Sequence, residues 1–422
     1  MRCRLCDSEQ LLSVLDLGAT PPPCERFLLE EQLDLPETTY PLHLRLCEEC
    51  LLLQIPALIT PPEDTFTDYA YFASYSDSWV EHARNFVEKA VHDLGLGPHS
   101  SIVEVASNDG YLLRHAISAG IPCLGIEPSV NVGGRRPRDR GCPRSPRSST
   151  KVPPRTSGVS TARPIWSSPT TCTPTSPDLL GGFTRALRIL VADDGWLSIE
   201  VHHALNLVRS AQFDTIYHEH FQYYTVLSAM RALATANLCI VDVELLETHG
   251  GSIRLWARPE ESAGPAGPRL EAVLEEERQA GLHTTGGYTD LEARAQAVRR
   301  DLLRFLLDCR DRDLLVVGYG APGKGNTLLN YCGIRPDLMR YTVDRNPYKH
   351  GRYTPGVRLP IRPPEDLDKD RPDVVVALPW NLEPELTDQL GSIGEWGGRL
   401  VFPLPTLHTA IGPSDFVRSV RS

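Results

Sequence analysis

Ser101-Ile102-Val103-Glu104-Val105-Ala106-Ser107-Asn108-Asp109-Gly110 is an apolar run that stops in a tight polar turn, and Tyr111-Leu112-Leu113 starts a helix pattern. Working outward, Pro122-Cys123-Leu124-Gly125-Ile126-Glu127-Pro128 reads as a second strand ending in an acid about twenty residues on. A turn after the first strand and a carboxylate after the second is the ligand arrangement of a doubly wound sheet. The turn approaches the ligand and the acid accepts from ribose hydroxyls. This turn has one glycine where a pyrophosphate site needs three. That favours a nucleoside without a charged tail, such as S-adenosylmethionine, over NAD. The same pattern also suits any strand, turn and helix with an acidic end.

The pattern recurs near the C-terminus. Leu314-Leu315-Val316-Val317-Gly318-Tyr319-Gly320-Ala321-Pro322-Gly323-Lys324-Gly325-Asn326 is a buried strand running into Gly-x-Gly-x-x-Gly, followed by a helical Thr327-Leu328-Leu329-Asn330-Tyr331. Here the glycines would let backbone approach a pyrophosphate at a helix N-terminus. A strand over 341–343 ends at Asp344, and another over 373–378 leads to Pro379-Trp380-Asn381. The chain is thus expected to hold two doubly wound units, joined by helices rich in Glu, Ala, Leu and Arg. Taken alone the second turn suggests NAD. Lys324, however, is unusual at a nicotinamide pyrophosphate turn and suits a nucleotide-sugar diphosphate. The cations of Asp344 to Gly356, Arg352 among them, suit the same anion.

At the other end, Cys3-x-x-Cys6 and Cys47-x-x-Cys50 are paired knuckles. Each can place two thiolates on one turn, and four complete a tetrahedral zinc shell. A closed shell of four sulfurs leaves no open position, so the expected zinc is structural. Two unrelated pairs of buried thiols are the alternative. The chain has 422 residues, 11 of them Cys, and a net charge of −11, which argues against general nucleic-acid binding. No apolar run is long enough for a transmembrane helix, and the N-terminus lacks a signal-peptide core. A cytoplasmic monomer with no membrane partner is expected.

Further along the first unit, Asp214-Thr215-Ile216-Tyr217-His218-Glu219-His220-Phe221 packs Tyr, two His and Glu into four positions. The two His would share one face if the segment were extended. Their spacing excludes a helical zinc pair. A His beside Tyr and Glu can act as a general base near neutral pH, or can be structural. His249-Gly250-Gly251-Ser252-Ile253-Arg254 reads as a tight turn into a strand.

One stretch breaks the pattern. Residues 133–177 hold nine Pro, eight Arg and fifteen Ser or Thr in 45 residues, with no Leu or Glu. Such composition cannot bury enough apolar surface to offset its conformational entropy, so the stretch is expected to be disordered inside a compact unit. It is also what a GC-rich gene yields when translated out of frame.

These residues together resemble the C-methyltransferases of deoxysugar biosynthesis, which act at C3 of a dTDP-4-keto-6-deoxysugar. The matching stretches are the Cys pairs, Tyr71 to Trp79, Glu104 to Gly110, Gly125 to Pro128, Tyr217 to His220, His249 to Ser252, Gly318 to Ile334 and Asn346 to Gly356. The resemblance implies an α/β chain in parts: a zinc-binding domain over 1–62, a class I methyltransferase sheet over 63–262, linking helices over 263–312 and a Rossmann-like sugar-nucleotide domain over 313–422. It implies S-adenosylmethionine against Glu104, Ser107, Asn108, Gly110 and Glu127. It implies the dTDP-linked sugar against Gly318, Gly320, Gly323, Lys324, Asn326 and Arg352. In the implied mechanism His220 removes the C3 proton, acidified by the C4 ketone, with help from Tyr217 and Glu219. The enolate then attacks the sulfonium methyl. Tyr75 matches a further active-site Tyr.

The departure lies in 133–177. Family members continue there through a helix and two strands to Asn-Asn-Val-x-x-His-Val-Pro-Asp, whose His is an active-site residue. This chain reads Pro169-Thr170-Thr171-Cys172-Thr173-Pro174-Thr175-Ser176-Pro177-Asp178. Its codons, read from the third nucleotide, permit Asn-Asn-Val-Tyr-Ala-His-Val-Pro. A compensated frameshift is therefore expected, costing two core strands and leaving the literal chain poorly soluble with little or no activity. The competing functions are an NAD-linked sugar-nucleotide oxidoreductase and a catalytically inactive sugar-nucleotide-binding protein.

Overall fold

The computed structural model describes residues 1–24, 27–56, 72–127, 129, 144–146, 164–168, 182–413 and 415–417. In chain order the first strands are β1 (Leu11–Thr20), β2 (Tyr40–Cys47), β3 (Leu53–Gln54), β4 (Ser101–Val105), β5 (Cys123–Glu127), β6 (Arg144–Pro146), β7 (Pro164–Ser168) and β8 (Trp196–His202). They are followed by β9 (Gln222–Tyr223), β10 (Leu238–Leu246), β11 (Ser252–Pro259), β12 (Val316–Tyr319), β13 (Thr342–Val343), β14 (Ile361–Arg362), β15 (Val374–Ala377), β16 (Arg399–Phe402) and β17 (His408–Ile411).

The N-terminal sheet runs β1-β2-β3-β9, and its adjacent strands are antiparallel. In β2 the alternation is plain: Leu42, Leu44 and Leu46 are buried, while Pro41, His43 and Arg45 are not. Its fourth strand comes from beyond residue 200. Leu53 pairs with Tyr223 and Gln54 with Gln222, so the sheet crosses the boundary expected at residue 62.

The central sheet runs β10-β11-β8-β7-β4-β5-β6. From β8 to β6 the neighbours are parallel, and β10–β11 is an antiparallel hairpin on the far edge. The first strand in sequence, β4, lies inside the sheet, so the order reverses there and opens a crevice at the carboxyl ends. The helix Asp77–Leu94 covers this sheet. Ser76 caps it by accepting from Trp79 N, Gly95 ends it in the left-handed region at φ 61°, and Trp79, Ala83, Phe86, Val87 and Ala90 line its buried stripe.

The loss of two core strands in 133–177 is corrected. The backbone of 144–146 forms β6 on the sheet edge, and that of 164–168 forms β7 between β4 and β8. Ladder hydrogen bonds use main-chain groups only, so an unusual composition can still close the gap between two parallel strands. The rest of the stretch, and with it the reading of 169–177, lies outside the described residues.

The third sheet runs β14-β13-β12-β15-β16-β17, parallel except for β17. One apolar cluster joins Leu42, Leu44 and Leu46 of β2 to Phe213, Phe305, Leu328 and Val376, while Cys3, Leu5 and Leu52 pack with Leu197, Val201 and Leu255 of the central sheet. The knuckle region thus leans on one doubly wound sheet and its strands on the other.

Candidate active site

The turn after β4 is strained in the way a ligand turn is. Ala106, Asn108 and Gly110 all have positive φ, at 53°, 48° and 83°. Glu127, at the end of β5, holds it: its carboxylate accepts from Asn108 N and Ser129 N, each at 2.8 Å. Ser107 is buried behind Gly125, where a Cβ would come within 2.6 Å of Ser107 Oγ. Glu104 is fully buried in β4. Residues just before the Asp77–Leu94 helix clamp the turn: Ala73 N donates to Asn108 Oδ1 at 2.9 Å, and Ser74 Oγ donates to Asp109. Tyr75 is exposed, edge-on to Phe72, and has no hydrogen bond to Tyr217 or His220.

The second cluster follows the buried turn Phe213–Thr215. The segment 217–221 is not extended, so the shared face expected for its two His does not form. His218 faces away, with Nε2 3.0 Å from the Tyr40 carbonyl oxygen. His220 instead meets Tyr217: Nε2 and the phenol oxygen are 2.9 Å apart and the rings 4.0 Å. Burial, then the charges of His249 and Lys324, push the His220 imidazole down to about 3, so it is neutral. Glu219 accepts from Cys24 N at 3.0 Å, and burial pushes its carboxyl up to about 7.

Further groups gather around this pair. His202, at the carboxyl end of β8, has its ring 5.8 Å from His220 and 5.5 Å from His249. His249 sits in the left-handed region at φ 55° and packs against Trp79 at 4.7 Å. Behind them Glu200 accepts from Arg254 at 2.8 Å and lies 2.9 Å from His82 Nε2. Burial alone would raise the Glu200 carboxyl; the hydrogen bonds and charges of His82 and Arg254 outweigh it and hold it at about 2.

The other doubly wound unit supplies the remaining wall. Asp214 is fully buried and accepts from Trp380 Nε1 at 2.6 Å. Lys324 Nζ donates to Asn381 Oδ1 at 2.7 Å and lies 5.3 Å from the Trp380 ring. The helix after the glycine turn begins at Gly323, earlier than its sequence suggests. A Cβ at Gly320, Gly323 or Gly325 would meet Pro379, Cys24 or Leu378 at 2.7, 2.4 and 2.8 Å. A Cβ at Gly318 would meet Thr342 at 2.8 Å. These glycines therefore serve close protein packing. Asn326 Nδ2 donates to the Pro23 carbonyl at 2.8 Å. Asp344, read as a ribose acceptor, instead accepts from Ala321 N at 2.7 Å. Arg352 lies over the Tyr348 ring at 4.2 Å, on the loop after β13.

Comparison with known proteins decides the family. A family model described as the C-methyltransferase C-terminal domain matches residues 247–405, and a zinc binding domain model matches residues 3–66. The C-methyltransferase NovU of Streptomyces niveus is 32% identical over 406 residues, covering 96% of this chain and 95% of that protein. The chain belongs to the C-methyltransferase family. The strand order of its central sheet is that of class I methyltransferases, and S-adenosylmethionine is its methyl donor. Among solved structures, the 1,6-didemethyltoxoflavin-N1-methyltransferase of Burkholderia thailandensis is 11% identical with TM-score 0.33, over 49% of this chain and 94% of that one. The magnesium protoporphyrin IX methyltransferase of Synechocystis is 13% identical with TM-score 0.32, over 42% and 82%. At that level neither bears on chemistry or residues. The family sets aside the oxidoreductase reading of the second glycine turn.

The C-methyltransferase's cysteines fit zinc. The sulfurs of Cys3, Cys6, Cys47 and Cys50 all lie within 4.8 Å of one another. Gln54 Nε2 and Leu5 N donate to Cys3 Sγ at 3.2 and 3.4 Å, as suits a thiolate. Asp7 and Leu51, just after the knuckles, both turn left-handed at φ 61° and 59°, folding the chain around the site. Among the described residues no helix is long and apolar enough to cross a membrane.

His202, Asp214 and Trp380 were not singled out from sequence. For His202 a signal existed: it ends a strand at the carboxyl edge, where ligands of such sheets bind. Nothing local marks Asp214 or Trp380, because their pairing spans 166 residues.

Proposed function

We propose that this C-methyltransferase methylates C3 of a dTDP-linked 4-keto-6-deoxysugar by way of an enolate. The observation that carries the reading is the Tyr217–His220 pair, a neutral imidazole on a phenol, close to the Asp214–Trp380 bond that joins the two doubly wound units. His220 takes the C3 proton as its electrons pass to the C4 oxygen. Tyr217, half-buried and bonded to Nε2, orients the ring from the accessible side. S-adenosylmethionine, when bound, would supply an electrophilic methyl group; the Ala106–Gly110 turn would hold it and Glu127 would accept from its ribose. The new C3–CH3 bond forms as the S–CH3 bond breaks. Arg352, whose guanidinium stacks on Tyr348, binds the nucleotide diphosphate in this reading. Incubation with dTDP-4-keto-6-deoxyglucose and S-adenosylmethionine should give a product one methyl group heavier, with S-adenosylhomocysteine in equal amount. A methylated oxygen, or no transfer to any keto sugar nucleotide, would refute this reading.

A further inference from the structure

The sequence assigns Lys324 to a diphosphate, but the structure sets its helix against the segment that carries Tyr217, with Thr327 Oγ1 donating to the Ile216 carbonyl at 3.2 Å. Its ammonium hydrogen-bonds only to Asn381 among the described residues, leaving two of its three donors for a ligand. The side chain is half-buried, so a ligand in the pocket can reach it. It sits beside the same cluster: a Cβ on the adjacent Gly323 would lie 3.9 Å from the Tyr217 ring, and Trp380, 5.3 Å from the ammonium, bonds Asp214 and would meet a Cβ at Gly250 at 2.4 Å. Asp214, fully buried and fixed by Trp380, is its counter-charge.

We infer that Lys324 binds the C4 oxygen of the keto sugar and stabilises the enolate oxygen. This rests on the reading above and names the group that makes its enolate accessible. The charge balance requires such a group. When His220 accepts the C3 proton it becomes a cation beside Lys324 and two further imidazoles. That state is unfavourable unless the new negative charge lies between the cations. A fixed ammonium at the developing oxyanion meets the requirement without reorganisation during the reaction. The diphosphate role is harder to meet, since Cys24, Pro379 and Leu378 fill the close approaches over the glycine turn.

The two roles separate in one experiment. Wild type, Lys324→Gln and Lys324→Arg are incubated in heavy water with dTDP-4-keto-6-deoxyglucose and S-adenosylhomocysteine. Deuterium entry at C3 is followed by NMR, and dTDP affinity is measured on the same samples. We expect Lys324→Gln to lose at least about a hundredfold in saturated exchange. Its dTDP Kd should stay within about threefold, which also shows that it folds, and Lys324→Arg should recover part of the exchange. A tenfold or greater rise in dTDP Kd with saturated exchange retained would overturn the proposal and return Lys324 to the diphosphate. Unchanged exchange would overturn it too. Wild type that binds dTDP but exchanges nothing would reject the reaction itself, and the lysine's role with it.

Discussion

Burial sets the protonation of the residues that matter most. His220 is neutral at working pH because burial, and then the neighbouring His249 and Lys324, disfavour its charged form. His220→Asn should lower methyl transfer by about 10²–10⁴ while leaving dTDP binding nearly unchanged; a variant keeping more than half the activity would place the base elsewhere. Glu219 runs the other way. Its ordinary value of 4.5 is raised to about 7, so the folded chain binds its proton more tightly than the unfolded one. That contribution is fully present below about 4.5 and is lost as pH rises through about 7, amounting to on the order of 3 kcal/mol. Glu219→Gln removes the dependence. Between about pH 5 and pH 8 the wild type should therefore lose Tm relative to the variant, and a constant difference would show that the carboxyl is not so perturbed. Tyr217, Glu219 and His220 were legible because they are neighbours in sequence. The surroundings of Lys324 were not, because Trp380 and Asn381 lie more than fifty positions later and Asp214 more than a hundred earlier.

Short elements tie the parts together. β9 is two residues long, yet it leads directly from the His220 turn into the sheet that holds the zinc knuckles. Arg4 N donates to Gln54 Oε1, linking the first knuckle to β3, the strand that pairs with β9. Cys47→Ser should release zinc, lower Tm and reduce methyl transfer through this path; full zinc stoichiometry by metal analysis would refute the ligand set. The His249–Gly251 turn is a second tie. Gly250 has φ +88° and a Cβ there would come within 2.4 Å of the Trp380 ring. Gly250→Ala should cost about 2–4 kcal/mol from left-handed strain and overpacking together, read as a drop in Tm. Strands and turns of both doubly wound units were readable from apolar runs ending in glycine or acid. The use of the second glycine turn was not, since close packing and phosphate binding call for the same residue.

At the scale of the whole molecule, the three sheets share cores, so the boundaries drawn along the chain do not mark independent bodies. The central sheet is continuous across β7, which the composition of 133–177 did not foretell. That composition remains poor in the large apolar residues a core requires. A version with the reading frame restored over 133–177 should melt at higher temperature and turn over faster than the literal chain, and equal melting and turnover would make the segment a tolerated insertion. The central claim is carbon methylation at C3 of a keto sugar nucleotide. Both versions can be given S-adenosylmethionine with a carbon-13 methyl group and dTDP-4-keto-6-deoxyglucose, and the product read by NMR. The labelled methyl is expected on C3, next to the C4 ketone, in whichever version turns over. A label on oxygen, or a labelled methyl at another ring carbon, would contradict it.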